Sequence, residues 1–392
     1  WKARAYLLKR KQDLLVKQLL EAGGDAASAN DDKDFKALAS SLKTSDILLD
    51  GVLGTGTKLP LKEEIGNVLA ETIYVMADLD DPPLVVAVDC PSGVDCDTGE
   101  VADECIPADL TVTMAAVKQG LLKLPAFEYV GELKVIDIGL PEVLPALRSV
   151  QVEVAEQDMV SALLPDRPAD AHKGTFGAAM IAAGSVNYTG AVLLAGQAAY
   201  RIGAGLVTLA VPAPLHTALA GQFPEATWVL LPHAQGVIAK EGAEVIAKNL
   251  ERATALLIGP GLGLEDTTKE FIQQLLTGKS ISRKSGSRIG FVHGEEERGV
   301  ENSSQLPPLV FDADGLKLLA KINDWPNLVP AAAILTPHPG EMAVLTGSSK
   351  EDIQENRQAM AAKCAAQWGH VVVLKGAFTI VPAPDGRITV IP

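Results

Sequence analysis

Short runs of apolar, often β-branched residues recur along the chain, and most stop at a cluster of Gly, Pro, Ser, Thr or Asp. Runs of this length bounded by turn residues predict buried strands. The pattern predicts strands at Asp46–Leu49, Leu84–Val88, Leu110–Met114 and Gly131–Ile138, with helices over Asp34–Leu42 and Glu63–Asp78. Residues through about Gln18 are basic and helical in pattern, and Ala22–Lys33 reads as a polar loop. A second series predicts strands at Gly177–Ala183, Gly205–Val211, Ala255–Gly259, Leu309–Asp312, Ala332–Leu335 and Val371–Leu374. Leu84–Val88 has the composition of a strand buried on both faces. Strands alternating with helices predict an α/β protein, with mostly parallel sheets covered by helices.

Between the two series, Pro141–Asp170 is proline-rich and breaks the pattern, which places a domain boundary near residue 150. The domains are then 1–150 and 151–392. Gly278–Gln305, rich in Ser, Glu, Arg and Gly without periodicity, reads as a mobile surface insertion. Gly174–Tyr200 carries no charge, but Gly184, Ser185, Asn187, Tyr188, Thr189 and Gly190 interrupt it. A strand, a glycine loop and a buried helix explain that stretch better than a membrane span.

Composition narrows the function classes. With 392 residues and 47% hydrophobic content, the chain is long enough for two or three domains with cores of their own. A net charge of −15 argues against a nucleic-acid partner, which would need basic surface. Local glycine loops remain able to bind a nucleotide phosphate through backbone N–H groups. Four cysteines, Cys90, Cys96, Cys105 and Cys364, lack zinc-site spacing and are too few for a disulfide framework. They read as reduced thiols, and no secretory signal opens the chain, so the expected location is cytoplasmic.

The candidate chemistry lies where strands end, the place where open α/β sheets bind ligands. Asp89-Cys-Pro-Ser-Gly follows one predicted strand, and its carboxylate and hydroxyl suit a ribose, a cation or a polarised water as well as a plain turn. Asp50-Gly-Val-Leu-Gly-Thr-Gly follows the preceding strand, with glycines that permit positive φ and close approach to the backbone. Further on come His172-Lys-Gly-Thr-Phe-Gly, Gly259-Pro-Gly-Leu-Gly, Thr336-Pro-His-Pro-Gly-Glu and Lys375-Gly-Ala-Phe-Thr. Lys375 beside open N–H groups suits a phosphate. Asp312 and Asp314 suit Mg2+ held through water, and Asp312 equally suits a helix cap.

Taken in this order, the motifs resemble the bifunctional NAD(P)H-hydrate repair enzymes. The resemblance implies a Rossmann-like NAD(P)H-hydrate epimerase domain over 1–150, followed by a ribokinase-like, ADP- or ATP-dependent NAD(P)H-hydrate dehydratase domain over 151–392. It implies epimerisation of the hydrate at C6, then phosphorylation and elimination of the C6 hydroxyl to restore NAD(P)H. By the same resemblance Asp50 and Ser92 hold K+. Gly54, Thr55, Gly56, Thr57, Lys58, Leu59, Pro60 and Asp89 contact the hydrate, with Asp89 handling the proton. Ala191, Gly261, Gly263 and His338 contact the hydrate in the second domain. Lys375, Gly376, Ala377, Phe378 and Thr379 receive the phosphates of ADP or ATP with Mg2+. An assembly of identical chains is implied, with no membrane partner. The family also carries an Asn-Asn-Gly-Gly-Asp loop before the first of these motifs and a Gly-x-Gly-Asp motif after the last. Neither lies in this sequence, which therefore reads as cut from a longer protein and weak or inactive as given. A ribokinase-like small-molecule kinase and a catalytically silent nucleotide-binding scaffold are the rival readings.

Overall fold

The apolar runs become parallel strands in two separate units, Trp1–Ser149 and Val150–Pro392. The computed structural model describes residues 2–8, 14–141, 144, 145, 149–278, 306–330 and 333–392. Most of the expected insertion at 278–305 therefore lies outside the described residues. Among the described residues, no helix is long and apolar enough to cross a membrane.

In the first unit, β1 (Arg4–Leu7) pairs in parallel with β2 (Asp25–Ser28). Here the sequence reading is corrected twice. The basic N-terminal stretch holds a strand before its helix, Leu14–Glu21, and the polar loop holds β2. Four further strands, β3 (Ile47–Asp50), β4 (Leu84–Val88), β5 (Leu110–Met114) and β6 (Glu132–Ile136), form one parallel sheet in that order. The helix Glu63–Ala77 opens with two acidic residues at its positive end and buries Val68, Leu69, Thr72 and Val75 along one stripe. Leu69 joins Val85 and Ala87 of β4 in the core. Leu84 on the opposite face is 48% exposed, so β4 is buried on one face rather than both. Helix cover on a single face restores the period of two.

The second unit is built on seven parallel strands. They are β8 (Ala178–Ala182), β9 (Leu206–Pro212), β10 (Thr227–Leu231), β13 (Ala255–Ile258), β14 (Leu309–Phe311), β15 (Ile334–Leu335) and β16 (Val371–Val372). Between them, β11 (His233–Ala234) and β12 (Val237–Ile238) make a small hairpin. A three-stranded sheet joins β7 (Val152–Val154) to β17 (Thr379–Pro382) and β18 (Ile388–Ile391). β10 and this small sheet were not anticipated. The large sheet runs β10-β9-β8-β13-β14-β15-β16, so the chain leaves β8 in one direction and later returns to its other side. Met180 and Ala182 of β8 enter one core and Ile181 and Ala183 the core on the opposite face. The helix Thr189–Ile202 buries Val192 and Gly196 but leaves Leu194 and Ile202 exposed. It is amphipathic, not buried as expected, because only one of its faces meets the sheet.

Candidate functional site

Each unit gathers its candidate residues at the carboxyl ends of adjacent parallel strands. In the first unit, Asp50 ends β3 and pairs in register with Ala87 of β4. That register brings Asp50 to Ser92: its Oδ2 accepts from the Ser92 N–H at 2.7 Å and its Oδ1 from the Ser92 hydroxyl. The Leu53 N–H donates to Ser92 Oγ at 2.9 Å, tying the 51–56 loop to the same point. Both side chains are buried. Burial pushes the Asp50 carboxyl above its ordinary value, against the hydrogen bonds from Ser92 and the Val52 N–H. Among the described residues, this buried carboxylate has neutral donors and no Lys or Arg partner. A carboxylate oxygen and a hydroxyl are ligand types that fit a hard cation.

Asp89 follows β4 directly with φ at +73°, a left-handed conformation that few residues other than glycine adopt. Its carboxylate accepts from the Met114 N–H at 2.9 Å, from the Thr113 hydroxyl at 3.3 Å and from the Lys118 ammonium. Lys118 also donates to Thr113 Oγ1 and to the Met114 carbonyl, each at 2.9 Å. Burial pushes the Asp89 carboxyl up, but the Lys118 hydrogen bond, the Met114 N–H and the Lys118 charge outweigh it and hold it low. Two neighbouring carboxyls are thus driven in opposite directions, a pattern typical of acid–base sites. The sequence reading missed Lys118 and Thr113. Thr113 lies within β5 and Lys118 just past its end, so the strand-end rule applied to β5 would have found them.

The loop at 54–60 approaches the same edge. Thr57 is buried and donates to the Gly54 carbonyl at 2.8 Å. Lys58 Nζ lies 3.9 Å from Asp95 and 4.0 Å from Asp97. Gly54 and Gly56 do not adopt positive φ, contrary to the use of glycine expected there. A Cβ at either would meet open space, so their value lies in leaving the backbone uncovered. Beneath Asp89, Cys90, Val94, Cys96 and Cys105 pack with Leu121 and Val130 into a core, so this segment is far more than a turn. All four thiols are free and buried, and burial pushes Cys105 up to about 12.

In the second unit, five consecutive strands β8, β13, β14, β15 and β16 each deliver part of one crevice. The point where strand order reverses, between β8 and β13, is where open sheets bind ligands. Gly261, at φ +67°, sits so close to the next loop that a Cβ would fall 2.7 Å from the Tyr188 Cβ and 2.9 Å from that of Ala191. The Gly263 N–H donates to Asp314 at 3.2 Å. Asp312, past β14, accepts from the Thr336 hydroxyl at 2.8 Å and from the Lys375 ammonium. The Lys375 N–H in turn donates to the Pro337 carbonyl at 2.9 Å. Asp312 does not cap a helix: Ala313 occupies that position before Asp314–Leu319. His338 does cap one, its Nδ1 accepting from the Gly340 N–H at 2.9 Å and the Glu341 N–H at 3.3 Å. The imidazole is 54% exposed with Nε2 3.4 Å from Glu341, which orients it without burying it. Ser185, just beyond β8, has a buried hydroxyl with no partner among the described residues; the sequence reading had it only as part of a polar break after a strand. Among the described residues, no group of three or more His, Cys, Asp or Glu could hold a metal.

Comparison with known proteins bears on both units. Residues 5–120 match a family described as YjeF-related protein N-terminus. Residues 179–280 and 298–392, half of the chain, match the family described as NAD(P)H-hydrate dehydratase. The chain belongs to the NAD(P)H-hydrate dehydratase family. Among curated relatives, the bifunctional NAD(P)H-hydrate repair enzyme Nnr of Moorella thermoacetica is 33% identical over 90% of this chain. The enzyme of the same name from Thermofilum pendens is 33% identical over 98% of it. The chain spans 61% and 66% of those two proteins. A Bacillus subtilis ADP/ATP-dependent NAD(P)H-hydrate dehydratase, co-crystallised with ATP/Mg2+, is 30% identical, with a TM-score of 0.47 over 62% of this chain and 74% of its own. Within the dehydratase family match lie Ala191, Gly261, Gly263, Asp312, His338 and Lys375 to Thr379, the residues that the strand ends assemble.

Proposed function

We propose that this protein takes part in nicotinamide nucleotide repair. The second unit dehydrates NAD(P)H hydrate at the expense of ADP or ATP, and the first interconverts the two C6 epimers of the hydrate. One observation carries the reading: at adjacent strand ends Gly261 packs on Ala191 and Asp312 meets Thr336 and Lys375, all within the stretch that matches the dehydratase family.

Hydroxide is a poor leaving group and phosphate a good one. With ADP as donor, its β-phosphoryl group passes to the C6 hydroxyl oxygen and AMP departs. The C6–O bond then breaks with its electron pair going to phosphate, and loss of a ring proton restores the dihydronicotinamide. Phosphoryl transfer asks the protein for positioning and charge neutralisation above all. Lys375 and the loop through Thr379 supply the cation and the backbone N–H groups for the phosphates, and Asp312 is the carboxylate placed to hold the accompanying Mg2+ through water. Gly261 lets its loop close on Tyr188 and Ala191 beside the nicotinamide portion, with Gly263, the oriented His338 imidazole and the unpartnered Ser185 hydroxyl at the edge.

In the first unit, Asp89 is the group that handles the proton near C6. Lys118 keeps it ionised and, with Thr113 and Met114, fixes its direction. Loop 54–60 covers the hydrate and Asp50 with Ser92 holds K+. An assembly of identical chains is the working form.

The test is incubation of the protein with both NADH hydrate epimers, MgADP and KCl, following the absorbance of reduced nicotinamide. Recovery of NADH from both epimers with release of AMP and phosphate supports both activities; recovery from one epimer supports the dehydratase alone. A stable phosphate ester without NADH would make the protein a kinase. Ligand-induced stabilisation without any product would make it a scaffold.

A further inference from the structure

The residue that shapes the phosphate loop lies outside the crevice. Arg357 begins the helix Arg357–Trp368, whose first turn carries no acidic residue. A cation at the positive end of a helix opposes the macrodipole, so helix stability does not account for it. Its Nη2 donates to three carbonyls of one loop: Lys375 at 3.2 Å, Leu374 at 3.3 Å and Phe378 at 3.5 Å. Nη1 donates to Gln354 Oε1 at 3.1 Å, which holds the guanidinium in place. Gly376, at φ +145°, is where the guanidinium comes closest: a Cβ there would lie 2.7 Å from both Nη1 and Nη2. With those carbonyls turned toward Arg357, the N–H groups of Gly376 and Ala377 find no acceptor among the described residues, and both residues are exposed. Successive outward N–H groups beside a lysine form an anion-binding concavity.

We infer that Arg357 is a positioning residue: by fastening the Leu374, Lys375 and Phe378 carbonyls it presents the Gly376 and Ala377 N–H groups to the phosphates of a nucleoside di- or triphosphate. This rests on the reading of residues 375–379 as the nucleotide loop. The fork matters as much as the charge, since Nη1 anchors the plane on Gln354 while Nη2 reaches the carbonyls, and a lysine ammonium has one nitrogen for both tasks. Loss of Arg357 leaves helix and sheet in place and lets the loop relax.

The experiment compares wild type, Arg357→Ala and Arg357→Lys by two measurements. In the nucleotide-free protein, exchange of the Leu374, Lys375 and Ile380 amides should accelerate about tenfold or more in Arg357→Ala, and less in Arg357→Lys. Exchange in β8 and β13 should stay as in wild type. In titrations with MgADP, Kd should rise about tenfold or more for Arg357→Ala, and methylguanidinium should restore part of the affinity. Unchanged loop exchange together with unchanged Kd overturns the inference, as does exchange that rises equally through β8 and β13, which marks a merely structural residue. Faster loop exchange when not even wild type binds MgADP upholds the fastening role and overturns the nucleotide reading instead.

Discussion

Replacing Lys118 by Met is the sharpest probe of the first unit. The side chains of Lys118 and Asp89 are only 18% and 22% exposed, so the pair is largely shielded from solvent. Removing the ammonium leaves Asp89 with the Met114 N–H and the weaker Thr113 hydroxyl bond, inside a loop whose backbone is already strained at Asp89. A charged hydrogen bond removed from a mostly buried carboxylate costs about 2 kcal/mol. The loss depends on pH with a definite sign. Asp89 titrates below its unfolded value when folded, so its contribution is present above about pH 4 and disappears as pH falls through the folded value. Lys118→Met should therefore be destabilised at neutral pH and approach wild type on acidification. The assay has to report the first unit alone. Three of the four tryptophans, Trp228, Trp325 and Trp368, lie in the second unit and the fourth is residue 1, so tryptophan fluorescence would follow mainly the wrong half of the molecule. Native-state hydrogen exchange of the Thr111–Met114 amides in β5 follows the right one. A loss that stays the same as pH falls from about 7 to well below the unfolded carboxylate value of about 4 would show that Lys118 acts by packing. No loss at neutral pH would refute the argument altogether.

Three other outcomes follow from the same geometry. Asp50→Asn should abolish stabilisation of the first unit by KCl over an equal concentration of tetramethylammonium chloride, measured by β4 amide exchange; an undiminished K+ effect would remove Asp50 as ligand. Gly261→Ala should cost about 1–3 kcal/mol, because the added methyl meets Tyr188 and Ala191 and the φ of +67° disfavours it; wild-type stability in urea would contradict the close approach. His370 is buried against Trp325, and burial holds its imidazole below the ordinary value against a smaller pull from the backbone of Pro326 and Gly369. The unfolded chain then takes up a proton near pH 6.5 that the folded one refuses, so stability of the second unit should fall below that pH by at most about 1.4 kcal/mol per pH unit from this group. Tryptophan fluorescence during thermal unfolding reads it, and a His370→Phe profile as steep as wild type would assign the effect elsewhere.

Periodicity and punctuation alone determined a good part of this protein. Leu84–Val88 and Leu110–Met114 are strands over the residues their pattern marks, because short runs rich in branched side chains favour the extended chain, and Asp, Pro and Gly close the first of them. The loop after Leu84–Val88 was legible as a candidate site from its turn residues, the one after Leu110–Met114 was not, and the ordered motifs were enough to indicate the family. β1 and β2 were not legible, since Arg4–Leu7 sits in a basic stretch and Asp25–Ser28 lacks apolar bulk, and pairing overrides both.

Only the tertiary structure decided which strand ends are neighbours. An apolar pattern says which face is buried but not which strand lies alongside, and β8 has β9 on one side and β13, far along the chain, on the other. The Lys375–Asp312 contact spans 63 residues and the Lys118–Asp89 contact 29. No local rule reaches so far, because long-range pairing is selected by the packing of the whole sheet. Arg357 shows the same limit: in sequence it is one cation at a helix start, and only the fold shows the three carbonyls it holds.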